Sequence, residues 1–380
     1  MSKELDEFLE KSAVQEQRKK DVQEKDLILK EHRVNRDLAE LQKNTKELEQ
    51  AKGVSFGAMD KASIADLVKN NDEYMDAAKH GMVFINEEFK KHVPFFRKNL
   101  ILIGGGTGEG KSTTVANIVF STITQINPAT GKSAKILLLT NEEAPEDFYN
   151  RVTCLFKGWR YSNHDQFTDV QRDTFREFIP KWATGGRLTI IGDVYQGVPG
   201  WTTTIEGIET IFNNILKDYR EGKPAYDVIL LDYYQNVNKS KMDPKLDEYQ
   251  CQRKLASLLD TVKLGYPGAI VVLAQMEKLA GENDTTPFNR RFKGSKLVCD
   301  KATFICELIR EQEILRSTWK IYKSRFTEAV GQEVQTGYDR GKFVPYSPEF
   351  QRRVAKIVDE NITRQKQREA GVDLKEKDDE

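Results

Sequence analysis

The sequence predicts an α/β fold with a central, mostly parallel sheet, preceded by a charged helical arm. Three observations lead there. Apolar runs of strand length recur at residues 100–103, 134–140, 188–191, 228–231 and 269–274. Stretches of helical periodicity separate them, the pattern of a parallel sheet crossed over by helices. Several of the runs end on a polar residue, and ligands of such sheets bind at the carboxyl ends of the strands.

The elements follow in order. Residues 1–52 are about half charged and contain neither Pro nor Gly, which suits a helix. Leu27, Val34, Leu41 and Leu48 fall seven apart, with Leu38 between, as in a short coiled-coil seam. Glu31 and Thr45 interrupt it, so a solvated arm and a docking or self-association helix both stay open. Residues 53–81 open on Gly53 and Gly57; Ser63 then starts a short helix with Leu67, Tyr74 and Ala78 at helical spacing. That tether is placed to pack on a neighbouring subunit. The core spans 82–346. Its helices are expected from Lys111 to about Thr124, from Pro145, and over about 165–181, 203–219 and 246–264. Pro145 suits a first helical turn. Residues 303–344 read as short β-rich segments, and 347–380 as a helical and then charged, disordered tail from about Gln365.

Composition narrows the class. Hydrophobic residues make up 38% and charged residues 31% of 380, polar for one compact globule, so part of the chain lies outside a core. Net charge is zero, so nucleic-acid binding has to come from a local basic patch. Cys154, Cys251, Cys299 and Cys306 are scattered without a C-x-x-C pair, which argues against a zinc site or disulfide framework. There is no apolar signal region after Met1 and no apolar run near the ~20 residues that span a bilayer. A soluble, cytoplasmic protein without a membrane partner is expected.

The chemistry concentrates in a few motifs. Gly-Gly-Thr-Gly-Glu-Gly-Lys-Ser at 105–112 follows the first strand and fits G-x-x-x-x-G-K-[ST]. Backbone N–H groups can wrap a triphosphate only where side chains stay clear, and Gly104, Gly105, Gly106, Gly108 and Gly110 allow that approach. Gly105, Gly106, Thr107, Gly108, Glu109, Gly110, Lys111, Ser112 and Thr113 form the expected nucleotide site for ATP or another NTP or dNTP. Lys111 reaches the β- and γ-phosphates, and the Ser112 hydroxyl ligates Mg²⁺. Asp232 at the tip of a strand is the second Mg²⁺ residue. Glu142, ending the strand after the phosphate-loop helix, is placed to deprotonate water; Glu143, Glu146 and Asp147 better suit a helix start. Gln275, ending its strand, is placed to sense the γ-phosphate. Lys323 and Arg325 stand two apart on an expected strand, either a surface pair or, at a subunit boundary, an arginine finger with a helper lysine.

Two loops carry basic residues. One follows Asp232, with Asn236, Asn238, Lys239, Ser240, Lys241 and Lys245. The other follows Gln275, with Lys278, Asn289, Arg290, Arg291, Lys293 and Lys296. They are either solvated loops or phosphate-tracking contacts without base readout. Asn238, Lys239, Lys241, Lys278, Arg290, Arg291 and Lys293 are the candidate DNA contacts.

This set resembles the RecA-fold hexameric replicative helicases of the DnaB family, above all the helicase half of bacteriophage primase–helicases. The likeness runs from about 82 to 346. It rests on the phosphate loop, Thr-Asn-Glu-Glu at 140–143, Leu-Leu-Asp-Tyr-Tyr-Gln at 230–235, Val-Leu-Ala-Gln-Met at 272–276, Phe-Lys-Gly-Ser at 292–295 and Lys-Ser-Arg-Phe-Thr at 323–327. It implies a RecA-like P-loop NTPase core and 5′-to-3′ translocation on single-stranded DNA through a ring of six identical subunits. It further implies that Glu142 is the catalytic glutamate, Gln275 the sensor and Arg325 a finger acting in trans, with Arg310 and Tyr338 holding the base. The helix around 63–80 resembles a linker helix docking on the adjacent subunit. No primase domain or zinc set accompanies it, so primase, loader and replicative polymerase are expected as separate partners, in a bacterial cytoplasm if the source is viral. A filament-forming recombination ATPase shares the phosphate loop, Glu and Asp, but not the Asp-Tyr-x-Gln strand end or the late Lys-Ser-Arg-Phe. A non-translocating ATP-binding scaffold has no use for Glu142.

Overall fold

The computed structural model describes residues 89, 99–127, 131–183, 186–277, 286–325 and 328–369. The chain divides into two units, Met1–Val68 and Lys69–Glu380, and every described residue belongs to the second. The coiled-coil arm, the linker helix and Lys278 lie outside the described residues.

In chain order the core runs β1 (Leu100–Gly105), α1 (Lys111–Ile123), β2 (Ile136–Thr140), α2 (Pro145–Lys157), α3 (Asp169–Ala183) and β3 (Leu188–Ile191). A small hairpin follows, β4 (Val194–Tyr195) and β5 (Val198–Pro199), then α4 (Ile205–Arg220), β6 (Val228–Asp232), α5 (Glu248–Gly265) and β7 (Ala269–Gln275). Short helices α6 (Phe288–Arg291) and α7 (Leu297–Lys301) lead into β8 (Phe304–Glu311), β9 (Arg316–Ser324), β10 (Glu333–Asp339), β11 (Lys342–Pro345) and α8 (Pro348–Glu369). The expected strands and helices are present within a few residues of their predicted limits. The region expected as one helix over about 165–181 is a 3₁₀ turn, Tyr161–Gln166, followed by α3. The last helix continues to Glu369, past the expected loss of structure at Gln365.

Nine strands form one sheet in the order β11-β10-β9-β8-β1-β7-β6-β2-β3. From β8 to β3 the pairing is parallel; β9, β10 and β11 add antiparallel strands at one side. β1, β2 and β6 are buried throughout, as strands covered on both faces must be. Alternation along β1 assigns the two cores. Ile101 and Ile103 pack with Val115, Ile118 and Val119 of α1 and Phe148 and Val152 of α2. Leu100 and Leu102 pack with Ile208 and Phe212 of α4 and Leu255 and Leu259 of α5.

Local chemistry sets the helix limits. α5 starts two residues later than the apolar pattern suggests because Asp247 and Gln250 form a capping box, each accepting from the other's backbone N–H. α2 opens on Pro145 and closes on Gly158 at φ 70°. Between β10 and β11 a two-residue turn, Arg340-Gly341, has φ 49° and 87°, matching the twist a tight hairpin needs.

The antiparallel side is held by Trp319, fully buried, whose ring meets Phe89 at 4.8 Å and Phe343 at 5.3 Å. Its indole N–H donates to Thr336 Oγ1 at 3.0 Å. No helix among the described residues is long and apolar enough to cross a membrane, and the four cysteines are free and buried. Trp319→Ala should cost about 3–5 kcal/mol of stability by urea unfolding, mainly cavity and lost transfer energy. Thr336→Val, which removes only the hydrogen-bond acceptor, should cost about 1–2 kcal/mol.

Candidate nucleotide site

The phosphate loop leaves β1 at the carboxyl edge of the sheet and re-enters at α1. Gly108 and Gly110 hold φ of 84° and 89°, and nothing lies within 4 Å of the space a Gly108 side chain would fill. Gly110 is also the N-cap of α1, so the unpaired N–H groups of the first turn face the loop. Gly104 serves otherwise than expected. A β-carbon there would lie 2.8 Å from Met276 and Phe288, so its bareness serves packing behind the loop. Lys111 Nζ donates to the carbonyls of Gly105 at 3.3 Å and Gly106 at 3.1 Å, folding the ammonium over the loop. Burial lowers its pKa, opposed by the charges of Glu142, Asp232 and Glu109. Ser112 and Thr113 follow in the first turn, half-buried.

The loop is tied to the far strands. Glu109 accepts from the backbone N–H of Arg310 at 2.6 Å. The Arg310 guanidinium lies 3.8 Å from the Tyr338 ring centroid and beside Gly110. The two residues expected to hold a base are thus stacked on one another at the end of the phosphate loop.

Asp232 is 2% exposed, and its Oδ1 has no hydrogen-bond partner. Burial raises its pKa to about 7, and the nearby Glu142 charge adds to the effect while Lys111 opposes it. A buried, unpartnered carboxylate oxygen beside a serine at the start of α1 fits Mg²⁺, which takes one or two protein oxygens and fills its shell with phosphate and water. The carboxylates after β2 are sorted by their partners. Glu143 is paired with Arg151 at 2.5 Å and is 13% exposed. Glu142 is exposed, and its charge acts on Lys111, Asp232 and Tyr233. Of the pair, Glu142 is the one turned to the phosphate loop. Gln275 ends β7, and its amide donates to Thr107 Oγ1 at 2.7 Å.

Asn141 and Arg151 were not among the expected residues. Asn141 accepts from the Tyr233 N–H at 3.0 Å and donates to the Thr202 carbonyl at 3.0 Å, fixing the Glu142 turn against the end of β6. Its signal was present as the second residue of Thr-Asn-Glu-Glu. The Arg151 pairing depends on a tertiary contact eight residues away.

The late basic pair lies elsewhere. β8 runs parallel to β1 and β9 antiparallel to β8, so the end of β9 returns to the amino edge of the sheet. The strand stops at Ser324; Arg325 lies one residue beyond it, exposed, with its N–H on the Thr303 carbonyl at 3.0 Å. Lys323 donates to the carbonyls of Cys299 and Asp300, both at 2.9 Å, closing the end of α7. The two cations therefore do not project from one strand face as a pair.

Among the candidate DNA residues, Lys239, Arg290 and Lys293 are exposed, and the Lys293 charge reaches Lys111. Asn238 is half-buried, with its N–H on the Thr203 carbonyl. Lys241 is exposed and donates to the Pro199 carbonyl. Arg291 is a correction. It is 3% exposed and forms a two-point ion pair with Glu307 at 2.5 Å, so it is not a surface contact.

The Asp232 shift has a definite sign. Its folded pKa, about 7, stands above the unfolded value of 3.8. Below pH ~4 the group is protonated in both states; the destabilisation grows as pH rises toward ~7 and is constant above it. Without nucleotide and Mg²⁺, Asp232→Asn should melt above the wild type at pH 8, with the gap closing toward pH 4. Calorimetry across that range checks it, and a pH-independent gap contradicts it.

No protein-family model and no curated protein matches the sequence. Solved structures do. A helicase ATPase domain superposes with a TM-score of 0.57 at 13% identity, over 76% of this chain and 100% of that one. A DnaB-like replicative helicase, described with its interactions with primase, gives 0.54 at 13% identity, over 80% of this chain and 72% of that one. At such identity the likeness is one of fold: the chain has the RecA-like α/β architecture of DnaB-type helicase ATPase domains.

Proposed function

We propose that this chain is an NTP-hydrolysing replicative DNA helicase that moves 5′ to 3′ on single-stranded DNA as a ring of six copies. One observation carries the shared-site part of this reading. The phosphate loop, Glu142, Asp232 and Gln275 meet at the carboxyl edge of the sheet, whereas Arg325 stands at the amino edge. The length of β1 separates them, about 17 Å at ~3.3 Å per residue. Arg325 therefore cannot serve its own phosphate loop. An exposed arginine at that position suits a neighbour's site, which a ring supplies with every site equivalent.

Each residue then has a task. The α1 N-terminus, Gly108, Gly110 and Lys111 bind the phosphates of ATP or another NTP. Arg310 and Tyr338 hold the base end. Ser112 and Asp232 hold Mg²⁺, which when bound neutralises charge on the phosphates. Glu142 accepts the proton of the attacking water, and the Glu143–Arg151 pair keeps the second carboxylate out of the way. Gln275, already on Thr107, is placed to lose or gain its phosphate contact as the nucleotide changes. Arg325 stabilises transition-state charge from the adjacent copy, and Lys323 supports the segment that carries it. Lys239, Arg290 and Lys293 supply exposed cations for the DNA backbone, with binding that weakens as salt rises. The fold likeness to a helicase described with primase supports a separate primase, and a loader and polymerase as further partners.

A fork with a 5′ tail should be unwound in the presence of ATP and Mg²⁺, and Lys111→Ala should abolish both hydrolysis and unwinding. No unwinding, or unwinding only from a 3′ tail, contradicts the reading. Mixing Arg325→Ala with Glu142→Gln copies should restore part of the hydrolysis that each lacks alone, because some interfaces regain both residues. Absence of recovery at every ratio argues against sites shared between copies.

A further inference from the structure

Gln235 closes the Asp-Tyr-Tyr-Gln segment, and none of the tasks above uses it. It is 7% exposed, in the 3₁₀ turn Tyr234–Asn236 three residues after Asp232. Its side chain bonds only to backbone, and to two segments at once. Its Oε1 accepts from the Gln275 N–H at 2.9 Å, and its Nε2 donates to the Gln275 carbonyl at 3.1 Å. The same Nε2 donates to the Lys293 carbonyl at 2.6 Å. Lys293 also donates its own N–H to the Gln275 carbonyl at 3.3 Å. One amide thus ties the metal-carboxylate turn, the end of the sensor strand and the exposed basic segment.

The other end of that segment is held as firmly. Gln252, fully buried on α5, accepts from the Ser295 N–H at 2.8 Å and donates to the Gln235 carbonyl at 3.4 Å. Gly294, at φ 88°, leaves the room this needs, since a β-carbon there would overlap Gln252 Oε1.

We infer that Gln235 is the positioning residue that couples Gln275 to the Arg290–Lys293 segment, so that the state of the nucleotide site sets the affinity for single-stranded DNA. The inference rests on the helicase reading and names the coupling inside it. A displacement of Gln275 changes two hydrogen bonds to one rigid amide, and that amide holds the Lys293 carbonyl. Leu at this position keeps the volume and removes all three bonds. Burial makes the loss specific, because no solvent replaces the partners.

The test uses the full chain, a fluorescent oligo-dT and ATP, with ADP and a non-hydrolysable ATP analogue. In wild type, oligo-dT should stimulate turnover, and its Kd should differ between the two nucleotides. Gln235→Leu should keep DNA-free turnover within about twofold, while stimulation falls to about 1-fold and the two Kd values converge. Gly294→Ala displaces the segment from its other end with Gln235 intact and should uncouple in the same way; it carries the test if Gln235→Leu fails to fold. A merely structural role would lower basal and stimulated turnover together. Wild-type stimulation with equal stimulation in Gln235→Leu, or in a folded Gly294→Ala should Leu not fold, overturns the inference alone. Wild type without any oligo-dT effect overturns the helicase reading, and the inference with it.

Discussion

Parallel pairing of β1 with β7 and β8 is the constraint on which the rest of this molecule depends. It brings the carboxyl ends of strands distant in sequence to one edge, where the phosphate loop, Asp232 and Gln275 meet. The switch to antiparallel pairing at β9 has the opposite consequence. It returns the chain to the far edge and leaves Arg325 there. One change of strand direction therefore builds most of a hydrolytic site and removes from it the cation expected to complete it. The same geometry makes a neighbouring copy the natural source of that cation.

Burial is what gives the assembled groups their properties. Asp232 lies where no solvent reaches Oδ1, so its carboxyl is held near neutrality until a cation compensates it. Lys111 is shifted downward by the same desolvation and lies across two carbonyls of the loop it serves. Glu143, by contrast, has a close partner in Arg151. Two adjacent carboxylates thus differ because one is neutralised within the chain and the other is not. The amides of Gln235 and Gln252 extend this logic to the basic segment, where buried side chains hold backbone that solvent would otherwise loosen.

Much of this was legible in the sequence because the decisive signals are local. The glycine spacing at 105–112, Asp232 after four apolar residues and Gln275 after another apolar run each declare a strand end, and strand ends share an edge. What was not legible depends on contacts between strands. Arg291 sits among exposed-looking basic residues, yet Glu307 on β8 draws it into the interior. Lys323 and Arg325 have the spacing of a shared strand face, but β9 ends between them and Lys323 is committed to α7. Glu109 looks like a spacer in the phosphate loop, and its anchoring of Arg310 appears only when β8 lies beside β1.

The central claim is that each site is completed by an adjacent copy in a closed ring. Particle imaging of the protein with a non-hydrolysable ATP analogue and single-stranded DNA tests it most directly. The account predicts a six-membered ring around the strand, with Arg325 of one copy at the nucleotide of the next. An open filament, or Arg325 remote from every nucleotide, would contradict it.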